Sequence, residues 1–211
     1  MIKKNGIAFD LDGVLVDYTY RYHQVYHDIL KKHGIKCPTR DELITLRKSL
    51  PSGKILETLL PDSLPDRKSI LQQCSYSRDQ MFEEKQYVVK DPLFRGGLER
   101  IKEIKKKDFP TALISRRKDK DLLYLQLKEY ISLFDFIRVT PKKAEALSEF
   151  IDTYKLDSCT FITDSCDDIQ EGKKAGVQII AVLTGLDTKE EMVKMNPHRI
   201  VSNVQEYLET L

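Results

Sequence analysis

Short apolar runs alternate along the chain with longer amphipathic stretches, the pattern of a repeating βα unit that builds a parallel sheet. Five runs predict strands, at residues 6–9, 111–114, 136–139, 159–162 and 178–182. Each is brief, rich in Ile, Val or Phe, and followed by polar residues, which suits strands buried on both faces. Between them, apolar positions recur at helical spacing over 97–107 (Leu98, Ile101, Ile104), 118–130 (Leu122, Leu123, Leu125, Leu127), 141–154 (Ala144, Leu147, Phe150, Ile151) and 167–175. Gly176 stands where a helix-terminating glycine belongs.

Residues 18–90 break this rhythm. They read as helices only, over 18–33, 40–46, 53–60 and 66–86, punctuated by Pro38, Pro51, Pro61 and Pro65. The pattern therefore predicts an α/β architecture: a Rossmann-like parallel sheet core from residues 1–17 and 91–211, with a small all-helical domain inserted at 18–90. There is no internal repeat.

Composition narrows the class. The 211 residues are 41% hydrophobic and 32% charged, enough to bury a core without disulfides. The 35 basic and 33 acidic residues leave a formal charge of +2, which calls for neither nucleic acid nor an anionic membrane as partner. The four cysteines, Cys37, Cys74, Cys159 and Cys166, are scattered without a CxxC pair, so reduced thiols are expected rather than zinc or redox chemistry. No apolar run approaches the ~20 residues that span a bilayer. The N-terminus runs straight into a strand-like segment without a signal-peptide apolar region, so a cytoplasmic location is expected.

The chemistry concentrates at strand ends. The first strand leads into Phe9-Asp10-Leu11-Asp12-Gly13-Val14-Leu15-Val16-Asp17, two carboxylates two residues apart followed by a glycine that permits a sharp departure of the backbone. Alone this reads equally as a solvated DxD turn. Ser115 closes the second strand and Asp164 follows the fourth, and open α/β sheets gather their ligands beyond the carboxyl ends of strands. Asp164-Ser165-Cys166-Asp167-Asp168 adds further carboxylates. Two carboxylates ~4 Å apart repel by about 4 kcal/mol at an effective dielectric of 20, a conflict that a hard dication such as Mg²⁺ resolves.

In this order these residues resemble the four motifs of the haloacid dehalogenase-like superfamily, over essentially the whole chain. Asp10–Asp17 resembles the DxDG motif, Ser115 in TALISRR the second, Pro141-Lys142-Lys143-Ala144-Glu145-Ala146-Leu147 the third, and Thr163-Asp164-Ser165-Cys166-Asp167-Asp168-Ile169 the fourth. The resemblance implies a Mg²⁺-dependent phosphatase acting on a small phosphorylated metabolite through an aspartyl-phosphate intermediate. It assigns Asp10 as nucleophile and Asp12 as general acid and base. Ser115 and a lysine, Lys143 in preference to Lys142, would hold the phosphoryl oxygens. Asp10, the Asp12 backbone carbonyl and Asp164 would be metal ligands, and Asp168 a ligand or an anchor behind them. An aspartate at position 12 points to phosphatases and phosphomutases, not dehalogenases. A phosphomutase is the nearest alternative; a non-catalytic regulator is opposed by the intact motifs.

Two features depart from the pattern. Thr163 stands where glycine is usual, and Ser115 is followed by Arg116 and Arg117. The plain reading of the arginines is a solvated pair at a helix start; the sharper one is that one of them, Arg116 first, reaches a second anionic group on the substrate. The 18–90 insert resembles a cap that closes over the site and excludes water, with Lys48 and Lys54 as the leading specificity candidates, ahead of Arg21 and Arg47. His23 and His27 share a helix face but have no further ligand pattern, and Tyr18, Tyr20, Tyr22 and Tyr26 read as packing. A monomer or homodimer is expected.

Overall fold

The computed structural model describes residues 4–211. It divides into two compact units, one comprising the chain up to Asp17 together with Pro92–Leu211, the other Tyr18–Asp91.

The first unit is an α/β layer structure. Its sheet contains β1 (Asn5–Phe9), β2 (Thr111–Ser115), β3 (Phe136–Val139), β4 (Ser158–Thr163), β5 (Gln178–Val182) and β6 (Arg199–Val201), in the order β3-β2-β1-β4-β5-β6 with every neighbour parallel. Strand periodicity sends alternate side chains to opposite faces. Ile7 and Phe9 of β1 join Leu113, Ile162, Ile180 and Val182 under helices α6 (Arg95–Lys105) and α11 (Val204–Leu208). Ala8, Ala112, Ile114, Phe161 and Ile179 point the other way, under α8 (Lys143–Tyr154), α9 (Cys166–Lys174) and α10 (Lys189–Lys194). Both faces are dry, which is why the strands read as unbroken apolar runs.

Four elements of this unit differ from the pattern-based expectation. β6 is a three-residue edge strand too short to carry a periodic signal. The 118–130 helix starts at Lys120, where Asp119 accepts from the amides of Asp121 and Leu122, and α7 (Lys120–Leu127) gives way at Lys128, φ +42°, to a 3₁₀ segment. α10 and α11 begin at capping residues Thr188 and Asn203, polar signals lying outside any long apolar stripe.

The second unit holds α1 (Thr19–Lys32), α2 (Arg40–Ser49), α3 (Ile55–Leu59), α4 (Arg67–Met81) and α5 (Lys85–Val88). The expected 66–86 helix is therefore two helices. α1 buries Tyr22, Val25, Tyr26, Ile29 and Leu30, and the Tyr22 ring stacks near Tyr26 and Phe82 at centroid distances of 4.7 and 5.9 Å. At the end of the unit the Asp91 carboxylate is held by buried Arg21, whose Nε and backbone amide each lie 3.2 Å from it. His23 and His27 bond to the Pro38 carbonyl and to Asp28 respectively, each at 3.0 Å. The four cysteines are free thiols, and among the described residues no helix is long and apolar enough to cross a membrane.

Candidate active site

The central strands β2, β1 and β4 are neighbours, so their carboxyl ends bring Ser115, Asp10 and Asp164 to one edge of the sheet. Asp10 is the first residue beyond β1, and its amide still bonds to the Ile162 carbonyl of β4 at 2.9 Å. The chain then turns tightly: the Leu15 and Val16 amides donate to the Leu11 carbonyl at 2.9 and 3.0 Å, and the Gly13 amide donates to the Val16 carbonyl at 2.8 Å. Gly13 carries φ +76°, in the left-handed region that glycine occupies without strain.

The Asp164 carboxylate fits between two glycines. A Cβ on either Gly13 or Gly185 would collide with its Oδ2. The Thr184 hydroxyl donates to the Gly13 carbonyl and ties the β5 loop to the turn after β1. Neither Thr184 nor Gly185 was legible as a site residue, because neither carries a titratable side chain and both lie about twenty residues beyond the start of the fourth motif.

Lys143 opens α8 with Pro141 just before it, and its side chain is buried. Its ammonium lies 2.6 Å from Asp10 Oδ1 and 2.5 Å from Asp168 Oδ2. Neighbouring Lys142 points to solvent and pairs with Glu145 at 2.9 Å. Burial alone would lower the Lys143 pKa, but Asp10 and Asp168 more than offset it and hold the group above its ordinary value. Asp168 is anchored twice over, by Lys143 and by Arg116 at 2.6 Å from its Oδ1. Its amide is capped by the Ser165 hydroxyl, which accepts at 3.2 Å and begins α9. Burial raises the Asp168 pKa, and the Lys143 and Arg116 charges overcome that, for a net lowering.

Asp10 and Asp164 shift the other way. Burial pushes the Asp10 carboxyl up to about 8, against the attraction of Lys143 and with repulsion from Asp168. Asp164 is raised well above 3.8 by burial and by the charges of Asp10 and Asp168. The causes are those of a buried acidic cluster with too little compensating charge.

The two arginines after β2 are not a solvated pair at a helix start. Arg117 is 3% exposed. Its Nε and Nη2 donate to the two oxygens of Asp12 at 2.9 and 2.6 Å, its Nη1 donates to Gln126 of α7, and its amide donates to the Ser115 hydroxyl at 3.2 Å. Arg116 is half exposed and committed to Asp168. Pattern reading weighed Arg117 only as a possible substrate contact and could not pair it with Asp12, which lies 105 positions away. Thr163 takes the place of the usual glycine without vacating the site: its hydroxyl donates to Asp168 Oδ2 at 3.3 Å. Lys48 and Lys54 belong to the helical unit and are exposed, and Lys54 pairs with Glu57 at 2.6 Å.

The donor set fits Mg²⁺. Asp10 and Asp164 are buried oxygen donors, and together with the Asp12 backbone carbonyl they would hold the ion. Four carboxylates (Asp10, Asp12, Asp164, Asp168) face three cations (Arg116, Arg117, Lys143), leaving one negative charge over. Among the described residues no three metal-type side chains converge as a cage. Mg²⁺ retains several waters and takes only one or two carboxylates, so a sparse set suits it.

Residues 7–182 match the sequence model of the haloacid dehalogenase-like hydrolases. No curated protein sequence matches the chain. Among solved structures, a haloacid dehalogenase-like family hydrolase from Streptococcus pneumoniae is 21% identical with a TM-score of 0.72, over 100% of this chain and 99% of the other. A HAD family hydrolase from Deinococcus radiodurans, with bound phosphate and sodium, is 17% identical with a TM-score of 0.70 over 98% and 94%. A predicted phosphoglycolate phosphatase from Haemophilus somnus is 16% identical with a TM-score of 0.67 over 100% and 99%. At such identities the likeness speaks for the fold, while the sequence model spans most of the chain and carries the assignment: this protein belongs to the haloacid dehalogenase-like hydrolase family.

Proposed function

We propose that this hydrolase is a Mg²⁺-dependent phosphatase that transfers the phosphoryl group of a small phosphorylated metabolite to water through Asp10. The observation that carries the reading is the pairing of Asp10 with the buried Lys143 ammonium at 2.6 Å, beside a second carboxylate, Asp12, from the same strand end. The phosphatase designation of the Haemophilus somnus relative and the phosphate held by the Deinococcus radiodurans relative agree with it.

Asp12 enters the first step protonated: an Asp10 oxygen attacks phosphorus, and the bond from phosphorus to the leaving oxygen breaks as Asp12 passes its proton to that oxygen. In the second step Asp12 takes a proton from water, the water oxygen attacks phosphorus, and the bond to Asp10 breaks, releasing inorganic phosphate. Lys143 and the Ser115 hydroxyl hold the equatorial oxygens. Asp168 keeps Lys143 aimed at Asp10; with both its oxygens already on cations, it serves better as an anchor than as a ligand. Bound Mg²⁺ supplies charge stabilisation to the transferring phosphoryl group. Lys48 and Lys54 remain candidates for substrate contact, and a cytoplasmic monomer or homodimer remains the expected setting.

A hydrolysis screen over phosphorylated metabolites, run on wild type and Asp10→Asn, tests the proposal. Release of phosphate from at least one monoester by wild type alone, with a phosphoenzyme trapped on Asp10, is the expected result. No hydrolysis anywhere on the panel speaks against it. Transfer from the phosphoenzyme to a sugar phosphate in preference to water would assign a mutase instead.

A further inference from the structure

The Asp12 carboxylate is held through both oxygens by a guanidinium that is itself buried and braced. Arg117 is 3% exposed; its fork meets Asp12 at 2.9 and 2.6 Å, its remaining terminal nitrogen meets the Gln126 side chain of α7, and its own amide is tied to Ser115. Arginine is the one side chain whose rigid planar fork matches a carboxylate at two points, so the pair fixes not only where Asp12 lies but how its plane is turned. Gln126, 8% exposed, accepts from the outer edge of the guanidinium and sets its rotation in turn. A general acid must stand within hydrogen-bond reach of the oxygen it serves, and a misplacement near 1 Å is worth about two decades in rate.

From this geometry we infer that Arg117 is a positioning residue for the reaction, aiming Asp12 at the leaving group through the two-point contact braced by Gln126. The inference rests on the assignment of Asp12 as general acid and base. As the substrate's bridging oxygen arrives, one Asp12 oxygen exchanges its bond to the guanidinium for one to substrate. The other stays on the fork and keeps the carboxylate from swinging away. Each of the three guanidinium nitrogens of Arg117 already donates to Asp12 or Gln126, so it acts through Asp12 and not as a phosphate clamp.

Leaving-group dependence separates this role from general structural support. A poor leaving group such as phenol, with a pKa of about 10, needs a proton delivered as its bond breaks. A nitrophenol leaves without one. The rate of the first step is measured in single turnovers of the Mg²⁺-loaded enzyme on phenyl phosphate and 4-nitrophenyl phosphate. Arg117→Ala is expected to slow phenyl phosphate by about a hundredfold and 4-nitrophenyl phosphate by no more than about threefold. Arg117→Lys, which keeps the charge without the fork, falls between. Asp12→Asn shows the same selectivity, and adding Arg117→Ala to it removes nothing further, since the two act as one unit. If circular dichroism shows Arg117→Ala unfolded, Arg117→Lys and Gln126→Ala carry the test with the same ordering.

Equal losses on both substrates, no loss on either, or a gain on phenyl phosphate from freeing Asp12 would overturn the inference. So would an additional loss in the Asp12→Asn background. Normal turnover of phenyl phosphate by Asp12→Asn would instead reject the assignment of Asp12, a result distinguishable from all of these.

Discussion

The ammonium of Lys143 lies 2.6 Å from Oδ1 of Asp10, with the lysine 1% and the aspartate 9% exposed in their side chains. Two charges taken this far out of water are tolerated only when paired with good geometry, and here a third group, Asp168, completes the lysine's shell at 2.5 Å. The same contact leaves Asp10 only partly compensated, since burial still raises its carboxyl despite the lysine. The fold thus keeps the Asp10 carboxylate close to a positive charge without surrendering it wholly to that charge.

Asp10→Asn is expected to remove turnover while the fold survives, because the amide is nearly isosteric but a poor nucleophile and a neutral ligand. Replacing a repelled, buried carboxylate also relieves the repulsion with Asp164 and Asp168. Thermal denaturation alongside a phosphate-release assay checks both parts. Activity within about tenfold of wild type would reject the covalent role.

Lys143→Ala and Lys142→Ala should separate sharply. Loss of Lys143 strands Asp10 in a dry environment and leaves Asp168 to Arg116 alone, worth about 3–5 kcal/mol of stability, and removes a charge-assisted bond worth about two decades in rate. Lys142 is an exposed partner of Glu145, so its loss should stay within about 0.5 kcal/mol and leave turnover near normal. Urea denaturation and kcat for the pair decide it; equal, mild effects would undercut Lys143 as a phosphate-holding group.

Mg²⁺ should stabilise the protein more at high pH than at low. The Asp10 and Asp164 carboxyls are raised above the unfolded value of 3.8, Asp10 to about 8, by burial and by repulsion within the cluster. A raised folded-state pKa contributes stability that is complete below the unfolded pKa and is lost as pH rises through the folded one. The metal-free protein should therefore weaken from about pH 4 to about pH 8, while the ionised pair that causes the loss is the form that would bind the dication. Melting temperatures with Mg²⁺ and with chelator at both pH values test this. A shift of equal size at the two, or none, would remove the ion from Asp10 and Asp164.

Gly185→Ala should weaken metal binding without removing any charged group. Its new methyl would meet the Asp164 carboxylate, which Gly13 already confines from the other side, so Asp164 must turn away. The expected outcome is a Mg²⁺ requirement raised about tenfold or more, as for other losses of support around a metal ligand. Titration of activity and of melting temperature with Mg²⁺ reads the change. An unchanged requirement would mean that Asp164 does not hold the ion.

Much of the architecture was legible along the chain because both faces of the sheet are buried. Strands such as β2 and β5 then appear as unbroken apolar runs. The boundary elements were not, for local reasons. β6 is too short to carry a period, and α10 and α11 announce themselves only through Thr188 and Asn203 at their starts.

The sequence by itself determined which residue types stand at the strand ends: Asp10 and Asp12 after β1, Ser115 closing β2, Lys143 opening α8, Asp164 after β4. Spacing along a strand or helix is a one-dimensional signal, and these positions follow from it. Only the tertiary structure decided what each side chain touches. It turned Lys143 inward and Lys142 out, buried Arg117 on Asp12 across 105 positions, gave Arg116 to Asp168, and brought Gly185 against Asp164. The physical reason is that charges placed in a dry cleft must find partners wherever the fold brings them, and strand order, not chain order, decides which partners are near.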